Sequence, residues 1–323
     1  MLLGIDGRVG GTVSSASSPA STAANLVPWS RSGAARLNHR RGGAGLEVGV
    51  GLPTTTPGAD GRCLLEWARR AEEGPFASLG VLDRMVYRSV EPFAALSAAA
   101  AVTTRVRLVT MVVIGPLRNT ALLAKQAASL DLLSAGRLTL GLAIGARADD
   151  YQALCVGSGD RGRRLGEQLA ELRSIWEKAE IGPEPVQPGG PPLLAGGLSG
   201  AAFARMARGA DGYVHGGGPP RAFAAAAAKA LAAWRDLERP GRPQLWGQGY
   251  FALGDDEAGG AYLRDYYAFT GPFAEKVAAG NLTSGRAVKD FVRGYREAGC
   301  DHLVLLPTVA DPAQLDRLAD VLG

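Results

Sequence analysis

Residues 106–144 read VRLVTMVVIGPLRNTALLAKQAASLDLLSAGRLTLGLAI and give the clearest structural signal in the chain. A β-branched apolar run, Val106–Val113, is followed by a helical segment at Thr120–Leu133. Small residues at Ser134–Gly136 stop that helix, and a second apolar run follows at Leu138–Ile144. Strands that are apolar throughout are typical of a parallel sheet covered on both faces. The stretch therefore predicts strand, helix and strand in a parallel α/β fold.

The same rhythm continues on both sides of this stretch. Eight strands are predicted, at residues 46–53, 78–82, 106–113, 138–144, 193–195, 212–214, 245–253 and 302–306. Helices are predicted at residues 61–73, 92–102, 120–133, 163–176, 201–208, 221–237, 261–267, 287–298 and 312–322. Eight β/α units favour a closed (β/α)₈ TIM barrel, and a chain of 323 residues is long enough for one. A doubly wound open sheet remains the alternative.

The N-terminal residues differ from the rest in composition. Residues 1–45 are rich in Ser, Ala, Gly and Arg, and we expect a disordered low-complexity tail before a single barrel domain at residues 46–323. The tail contains five arginines and one acid, whereas the remainder has 30 basic and 30 acidic side chains. The neutral body argues against nucleic-acid or membrane binding. Three scattered cysteines indicate neither a disulfide framework nor a metal site, and a reducing cytoplasm fits best.

The residues that follow the predicted strands are the candidates for a site, because β/α barrels carry their active sites at the carboxyl ends of the strands. The segment Gly196-Gly197-Leu198-Ser199 joins a strand to a helix. Glycines allow close backbone approach, and free amides at a helix start favour an anion, so a phosphate site is one interpretation. A tight turn with a serine cap is the other. His215-Gly216-Gly217 ends the next strand and forms either a neighbouring wall or an inert loop.

Charged and aromatic residues follow other strands. Asp83-Arg84 is interpreted either as an ion pair at the barrel end or as a polar lining of the cleft, and these two are the candidate catalytic residues. The pairs at 149–150 and 255–256 are interpreted as solvated acidic loops. The expected substrate-lining residues are Thr54, Thr55, Tyr87, Arg147 and Tyr151. No Ser/His/Asp or Cys/His set can be assembled, which favours a cofactor that carries the reaction.

Several segments resemble the luciferase-like monooxygenase superfamily, over about residues 48–321. The most specific are Glu91-Pro92-Phe93, the run from Thr103 to Leu108, and the pattern Ala124-Lys125-Gln126, Leu130-Asp131, Leu133-Ser134, Gly136-Arg137-Leu138 and Gly141. Gly196-Gly197 with Ser199, Ala210-Asp211-Gly212 and Ala298-Gly299 with Asp301 also match. The resemblance implies a β/α barrel that acts on a small organic substrate. The cofactor would be either reduced FMN with O₂ or the deazaflavin coenzyme F-420 as hydride carrier.

The resemblance also implies where the cofactor lies. Gly196, Gly197 and Ser199 are expected near its phosphate, and the third strand end, Val113-Ile114-Gly115, against its ring. Leu198, Gly145 and the segment His215-Gly216-Gly217 complete the expected cofactor site. Several relatives carry a non-prolyl cis peptide at the third strand end, and we hypothesise one here.

One residue departs from the family pattern. Many relatives have Asp-His after the second strand, whereas this chain has Asp83-Arg84, so a mechanism that uses that histidine cannot be carried over. A homodimer is expected from the family, and a flavin reductase would supply reduced FMN. The alternative function is a non-catalytic flavin-binding paralogue or the partner subunit of a heterodimeric monooxygenase.

Overall fold

The computed structural model describes residues 45–179 and 181–323, so all but the last residue of the tail predicted at 1–45 lies outside the described residues. The strands of the described part are β1 Glu47–Gly51, β2 Ser78–Val81, β3 Arg107–Thr110, β4 Val113–Ile114, β5 Leu138–Ala143, β6 Leu193–Gly196, β7 Gly212–Val214, β8 Gln244–Phe251 and β9 His302–Pro307. Its α-helices are α1 Gly61–Glu73, α2 Pro92–Ala100, α3 Thr120–Leu133, α4 Ala148–Ala153, α5 Arg161–Lys178, α6 Gly200–Gly209, α7 Pro220–Asp236, α8 Asp256–Tyr266, α9 Phe273–Ala278, α10 Gly285–Glu297 and α11 Ala313–Leu322. Short 3₁₀ turns lie at Gly115–Leu117 and Ala268–Thr270.

All strand pairs are parallel, and the sheet closes on itself. Its order is β3-β2-β1-β9-β8-β7-β6-β5-β4, and an additional pairing of β3 with β5 completes the circle. β3 and β4 together make the third strand of the barrel, because Leu108 pairs with Leu138 and Val113 pairs with Leu142. The predicted (β/α)₈ TIM barrel is therefore confirmed, and the open doubly wound sheet is wrong.

The third strand is broken where the sequence predicted one continuous run. Residues 111 and 112 lie outside the ladder, and the peptide bond between Met111 and Val112 is cis. A non-prolyl cis bond thus occurs near the third strand end, but before the Val113–Gly115 segment around which it was hypothesised.

Two residues of the family pattern hold the framework together. Asp131 at the end of α3 is fully buried, and its Oδ2 accepts hydrogen bonds from the amides of Val186 (2.8 Å) and Gln187 (3.0 Å). The buried Arg137 donates through Nη1 to the carbonyl of Val106 at 2.7 Å. Because buried polar groups must be hydrogen-bonded, these side chains fix α3 and the strand it feeds. The family pattern around Asp131 and Arg137 therefore identifies residues that stabilise the fold, and not residues of the site.

Short helices inside loops were missed by the periodicity argument. α4 and α9 have six residues each, too few to show a period of 3.6. The interpretation of the acidic pair at 149–150 as a solvated loop is wrong for Asp150, which lies in α4 and is fully buried. The pair at 255–256 instead begins α8, and Asp255 accepts a hydrogen bond from Gln314 at 2.6 Å.

Candidate active site at the barrel mouth

Strand β8 shows which side chains point into the barrel. Trp246 and Tyr250 pack in the interior cluster with Val109, Leu194 and Val304. A Cβ placed on Gly247 would lie 2.4 Å from the ring of Tyr295 on α10, so the strand residues that alternate with Trp246 and Tyr250 face the helices. Because successive residues of a strand point to opposite faces, Gln248 points inward near the carboxyl ends of the strands. We call this end of the barrel the mouth.

Small residues line one side of the mouth, where β5, β6 and β7 end. Ala143, Gly145, Gly197 and Gly217 are partly exposed there, and Gly216 is exposed with nothing within 4 Å of a Cβ placed on it. Gly197 has φ +135° and Gly217 φ +97°, a backbone conformation that favours glycine. Gly196 is buried between Ala143 and Val214. This open side leaves backbone accessible to a flat ligand.

The turn between β6 and α6 has the features of an anion site. Ser199 is the N-cap of α6, and its Oγ accepts a hydrogen bond from the amide of Ala202 at 3.2 Å. Leu198 is 68% exposed, so the turn itself faces solvent. The first amides of a helix lack intrahelical partners and lie at the positive end of the helix dipole. The sequence left a serine cap and an anion site as two alternative interpretations, and the geometry of this turn is compatible with both.

His215 lies on the helix side of the glycine turns and not on the side that faces the mouth. Its ring is buried edge-on to Phe223 of α7, and its Nδ1 is 3.2 Å from the Tyr213 hydroxyl. That hydroxyl donates to the carbonyl of Gly197 at 3.1 Å. Desolvation lowers the pKa of His215, which keeps the ring neutral at pH 7. The histidine therefore supports the turn at Gly197 from the helix side.

The opposite side of the mouth is closed by tyrosines. Tyr250, Tyr262, Tyr266 and Tyr267 form this tyrosine cluster, in which the hydroxyls of Tyr250 and Tyr267 are 2.7 Å apart. Thr55, after β1, lies 2.6 Å from the Tyr262 hydroxyl. Burial raises the pKa of all four phenols, so they remain protonated at neutral pH. They provide shape and hydrogen bonds rather than an acid or base.

Asp83 and Arg84, the candidate catalytic pair, do not pair with each other. The Asp83 carboxylate accepts from the amide of Ile114 at 2.9 Å and from both terminal nitrogens of Arg118 at 2.5 and 3.1 Å. Arg84 instead lies 4.8 Å from the ring centres of both Tyr87 and Tyr266. Its Nη1 donates to the Tyr266 carbonyl at 3.2 Å. Asp83 thus fixes the third strand, and Arg84 joins the loop after β2 to the tyrosine cluster.

Asp150 connects the two loops that follow β2 and β5 at the mouth. Its Oδ1 accepts from the amides of Met85 (3.0 Å) and Val86 (2.8 Å). Its Oδ2 lies 3.8 Å from Nε of Arg84 and 3.9 Å from Nε of Arg147. The sequence analysis missed this residue because an Asp-Asp pair after a strand has the composition of a solvated loop. Only its burial reveals that it binds the loops after β2 and β5.

The other predicted lining residues are scattered. Thr54 is buried and its Oγ1 has no partner among the described residues. Tyr87 donates to Asp265 at 2.8 Å, and Arg147 stacks 4.5 Å from the centre of the Phe269 ring. Tyr151 is buried against Ile114, and its hydroxyl donates to the carbonyl of Ile144 at 2.5 Å. The structure therefore brings Thr55, Tyr87 and Arg84 to one side of the mouth and places Tyr151 against the ends of the third strand and of β5.

The residues of the third strand end, expected against the cofactor ring, are buried. Val113 packs in the main core, Ile114 packs with Tyr151 beside Gly145, and Gly115 lies against Gln168 and Leu165 of α5. In this segment it is Val112, partly exposed, that packs on the interior cluster with Met111. Contact of a cofactor with residues 113–115 remains a prediction. Val112, which faces the barrel interior, is the better candidate for such a contact.

Two cavities lie outside the glycine side. One of about 340 Å³ is lined by Pro57, Tyr262, Asp265 and Thr308, beside α8. Another of about 450 Å³ lies between Gly254, Ser284 and Arg317. Neither includes a predicted cofactor residue. Among the described residues there is no group of three or more potential metal ligands, and no helix there has the length and apolar character needed to cross a membrane.

Parts of this chain are similar in sequence to curated proteins. An uncharacterized protein of Mycobacterium tuberculosis is 37% identical over 145 residues, which cover 41% of this chain and 49% of that protein. The oxygenase component of a flavin-dependent trigonelline monooxygenase of Acinetobacter baylyi is 31% identical over 117 residues, 32% of each chain. The chain thus spans about half the length, or less, of the curated relatives it matches.

Solved structures share the fold over nearly the whole barrel. An F-420-dependent secondary alcohol dehydrogenase, in complex with an F-420–acetone adduct, superposes with a TM-score of 0.73. The match covers 85% of this chain and 98% of that one at 18% identity, which speaks for the fold alone. The family model of luciferase-like monooxygenases matches residues 9–304, beginning within the segment predicted to be a tail. The chain belongs to the luciferase-like monooxygenase family.

Proposed function

We propose that this protein is a flavin- or deazaflavin-dependent oxidoreductase that acts on a small organic substrate at the barrel mouth. The observation that carries the proposal is the open side formed by Gly197, Gly216 and Gly217 beside the N-terminus of α6, in a chain of the luciferase-like monooxygenase family. The related trigonelline enzyme is flavin-dependent, and the similarly folded dehydrogenase is F-420-dependent. FMN and F-420 are therefore the two cofactors to test.

The residues of the mouth fit either group. Both cofactors have a flat ring and a phosphate. The positive-φ glycines leave room for a ring edge, and the free amides of α6 with the Ser199 hydroxyl would hold the phosphate. Two buried acceptors, Oε1 of Gln248 and Oγ1 of Thr54, have no partner among the described residues. An organic ligand with N–H or O–H donors would satisfy them.

The charged groups near the mouth already have partners, which favours chemistry carried by a cofactor. Asp83 is held by Arg118, Asp150 by two amides, and the phenols of the tyrosine cluster stay protonated. Reduced FMN, when bound, would supply the two electrons with which one oxygen atom of O₂ enters the substrate and the other is reduced, with two protons, to water; reduced F-420 would supply a hydride. The chain's own contribution is to bind, orient and exclude water, for which the tyrosine cluster forms an apolar wall.

A reductase partner follows if FMN is the cofactor, because reduced flavin must be supplied. The trigonelline relative is itself an oxygenase component, which supports a two-component arrangement. A homodimer, expected from the family, stays a prediction that light scattering on the purified protein would test. The non-catalytic alternative predicts tight cofactor binding without turnover.

The deciding experiment measures cofactor binding and then reaction. Purified protein is titrated separately with FMN and with F-420, following ring absorbance and fluorescence. O₂ consumption is then measured with reduced FMN from a flavin reductase, and hydride transfer with reduced F-420, over a panel of small alcohols, ketones and aromatic acids. We expect binding of one cofactor at micromolar concentration. Absence of binding by both would refute the proposal, and binding without any turnover would favour the non-catalytic paralogue.

A further inference from the structure

Gln248 occupies the point where the open side and the closed side of the mouth meet. It lies on the inner face of β8, two residues before Tyr250 of the tyrosine cluster. Its Cγ is 3.5 Å from a Cβ placed on Gly217, on the glycine side. The sequence analysis missed this residue, because a glutamine inside a mainly apolar strand carries no motif.

The amide of Gln248 is only half satisfied. Nε2 donates to the carbonyl of Gly216 at 3.1 Å, which orients the side chain. Oε1 is buried and accepts no hydrogen bond from any described residue, and the whole residue is 4% exposed. An unpaired buried acceptor is costly, and its oxygen has two lone pairs available for a donor.

A second buried glutamine shows why the position matters. Gln168 on α5 also donates through Nε2, to the carbonyls of Gly115 and Arg118, and its Oε1 also has no partner. A Cβ on Gly115 would lie 2.3 Å from that oxygen, so the space is filled. Beside Gln248, in contrast, Gly216 has nothing within 4 Å of its Cβ position. Gly216, whose carbonyl orients the Gln248 amide, thus borders open space at the mouth, whereas Gly115, whose carbonyl orients the Gln168 amide, does not.

We infer that Gln248 is a cofactor-binding residue whose Oε1 accepts a hydrogen bond from the ring imide N–H of the bound cofactor. This inference rests on the proposed function. FMN and F-420 both carry a pyrimidinedione ring with one such N–H, so the inference holds for either. The Nε2 bond to Gly216 holds the acceptor in place, and the ring N–H removes the cost of an unpaired oxygen.

The test is a binding cycle with two ligands and three proteins. Dissociation constants of FMN and of FMN methylated at the imide nitrogen are measured by fluorescence quenching for the wild type, Gln248→Leu and Gln168→Leu. If F-420 is the ring that binds, F-420 and its imide-methylated form replace them. Circular dichroism and thermal unfolding establish that each variant is folded. Because the readout is an equilibrium constant, no substrate is required.

In the wild type and Gln168→Leu we expect methylation to weaken binding, as the donor is lost. Gln248→Leu should bind the unmethylated ring about three- to tenfold less tightly, the size of one neutral hydrogen bond. In that variant methylation should cost correspondingly less, because the acceptor is gone. An equal methylation penalty in all three proteins would overturn the inference while leaving the proposed function intact. No binding by the wild type would instead overturn the proposed function itself.

Discussion

At the scale of single residues, the amino-acid sequence does not predict which charged side chains form ion pairs with each other. Asp83 was grouped with its neighbour Arg84 from sequence, but it pairs with Arg118, 35 positions along the chain. The side chains are 1% and 13% exposed, so both charges are largely removed from water. Neutralising Asp83 leaves the largely buried Arg118 with only the half-exposed Glu91, 3.4 Å away, as an ionic partner.

Asp83→Asn should therefore lower the free energy of unfolding by about 3–5 kcal/mol, the usual cost of breaking a buried pair. Denaturant unfolding monitored by tryptophan fluorescence measures this. Asp290→Asn is the matched control, because Asp290 pairs with Arg293 and both side chains are about half exposed. The control should change the stability by less than about 1 kcal/mol. Equal losses in both variants would show that Asp83 is not specially important.

Glu72 gives a residue-scale prediction about pH. Partial burial acts to raise its pKa, but the amides of Val106, Thr104 and Arg105 and the Thr104 hydroxyl together lower it to about 2 from 4.5. A carboxyl whose folded pKa is depressed contributes stability above its unfolded pKa and loses that contribution as pH falls through the folded pKa. The contribution is complete above about pH 5 and is lost between about pH 4.5 and 2.

Glu72→Gln should thus be less stable than the wild type at pH 7, and the difference should shrink as pH falls from about 5 towards 2. Urea midpoints at a series of pH values provide the measurement. Glu73→Gln, the exposed neighbour, controls for removing one negative charge. A difference that does not vary with pH would contradict the assigned cause.

At the scale of elements, the turn between β6 and α6 combines backbone conformation with packing. Gly197 has φ +135°, and a Cβ there would lie 2.6 Å from the Cβ of Ala202 on the first turn of α6. A side chain at this position must therefore both adopt a strained conformation and displace the start of the helix. The sequence suggested this turn from its glycines, but not the contact that makes the second glycine necessary.

Gly197→Ala should lower stability by about 1–3 kcal/mol and weaken cofactor binding, since the helix start that would hold the phosphate shifts. Isothermal titration calorimetry with whichever cofactor the wild type binds measures the affinity. Gly241→Ala is the control: this glycine also has positive φ, at +70°, but nothing lies within 4 Å of a Cβ there. The control should lose stability without losing affinity. If Gly197→Ala bound the cofactor as tightly as the wild type, the turn would not be the phosphate site.

At the scale of the whole molecule, charge is distributed unevenly along the chain. The segment 1–45 contains five arginines and one aspartate, and residues 46–323 carry equal numbers of basic and acidic side chains. Long-range attraction for anionic partners depends on such an imbalance. We propose that residues 46–323 are the domain that folds and binds the cofactor.

A chain that starts at residue 46 should keep the thermal midpoint and the cofactor affinity of the full chain. Its isoelectric point should fall from about 9.1 towards neutrality, because the excess of arginine is removed. Differential scanning fluorimetry, ligand titration and isoelectric focusing measure these properties. Since the family model matches from residue 9, loss of folding or of affinity in the shortened chain would show that the predicted domain boundary is wrong.

The order of alternating strands and helices, the family and the glycine turn at 196–199 could be predicted from the amino-acid sequence, because these depend on local composition and spacing. Closure of the sheet depended on pairing between β3 and β5, which an apolar run alone does not specify. The inward direction of Gln248 was equally hidden, since strands buried on both faces lack the alternation that assigns a face. Asp150 and the tyrosine cluster required contacts between loops far apart in sequence. Only the tertiary structure therefore showed which polar groups reach the mouth, and which serve to hold it together.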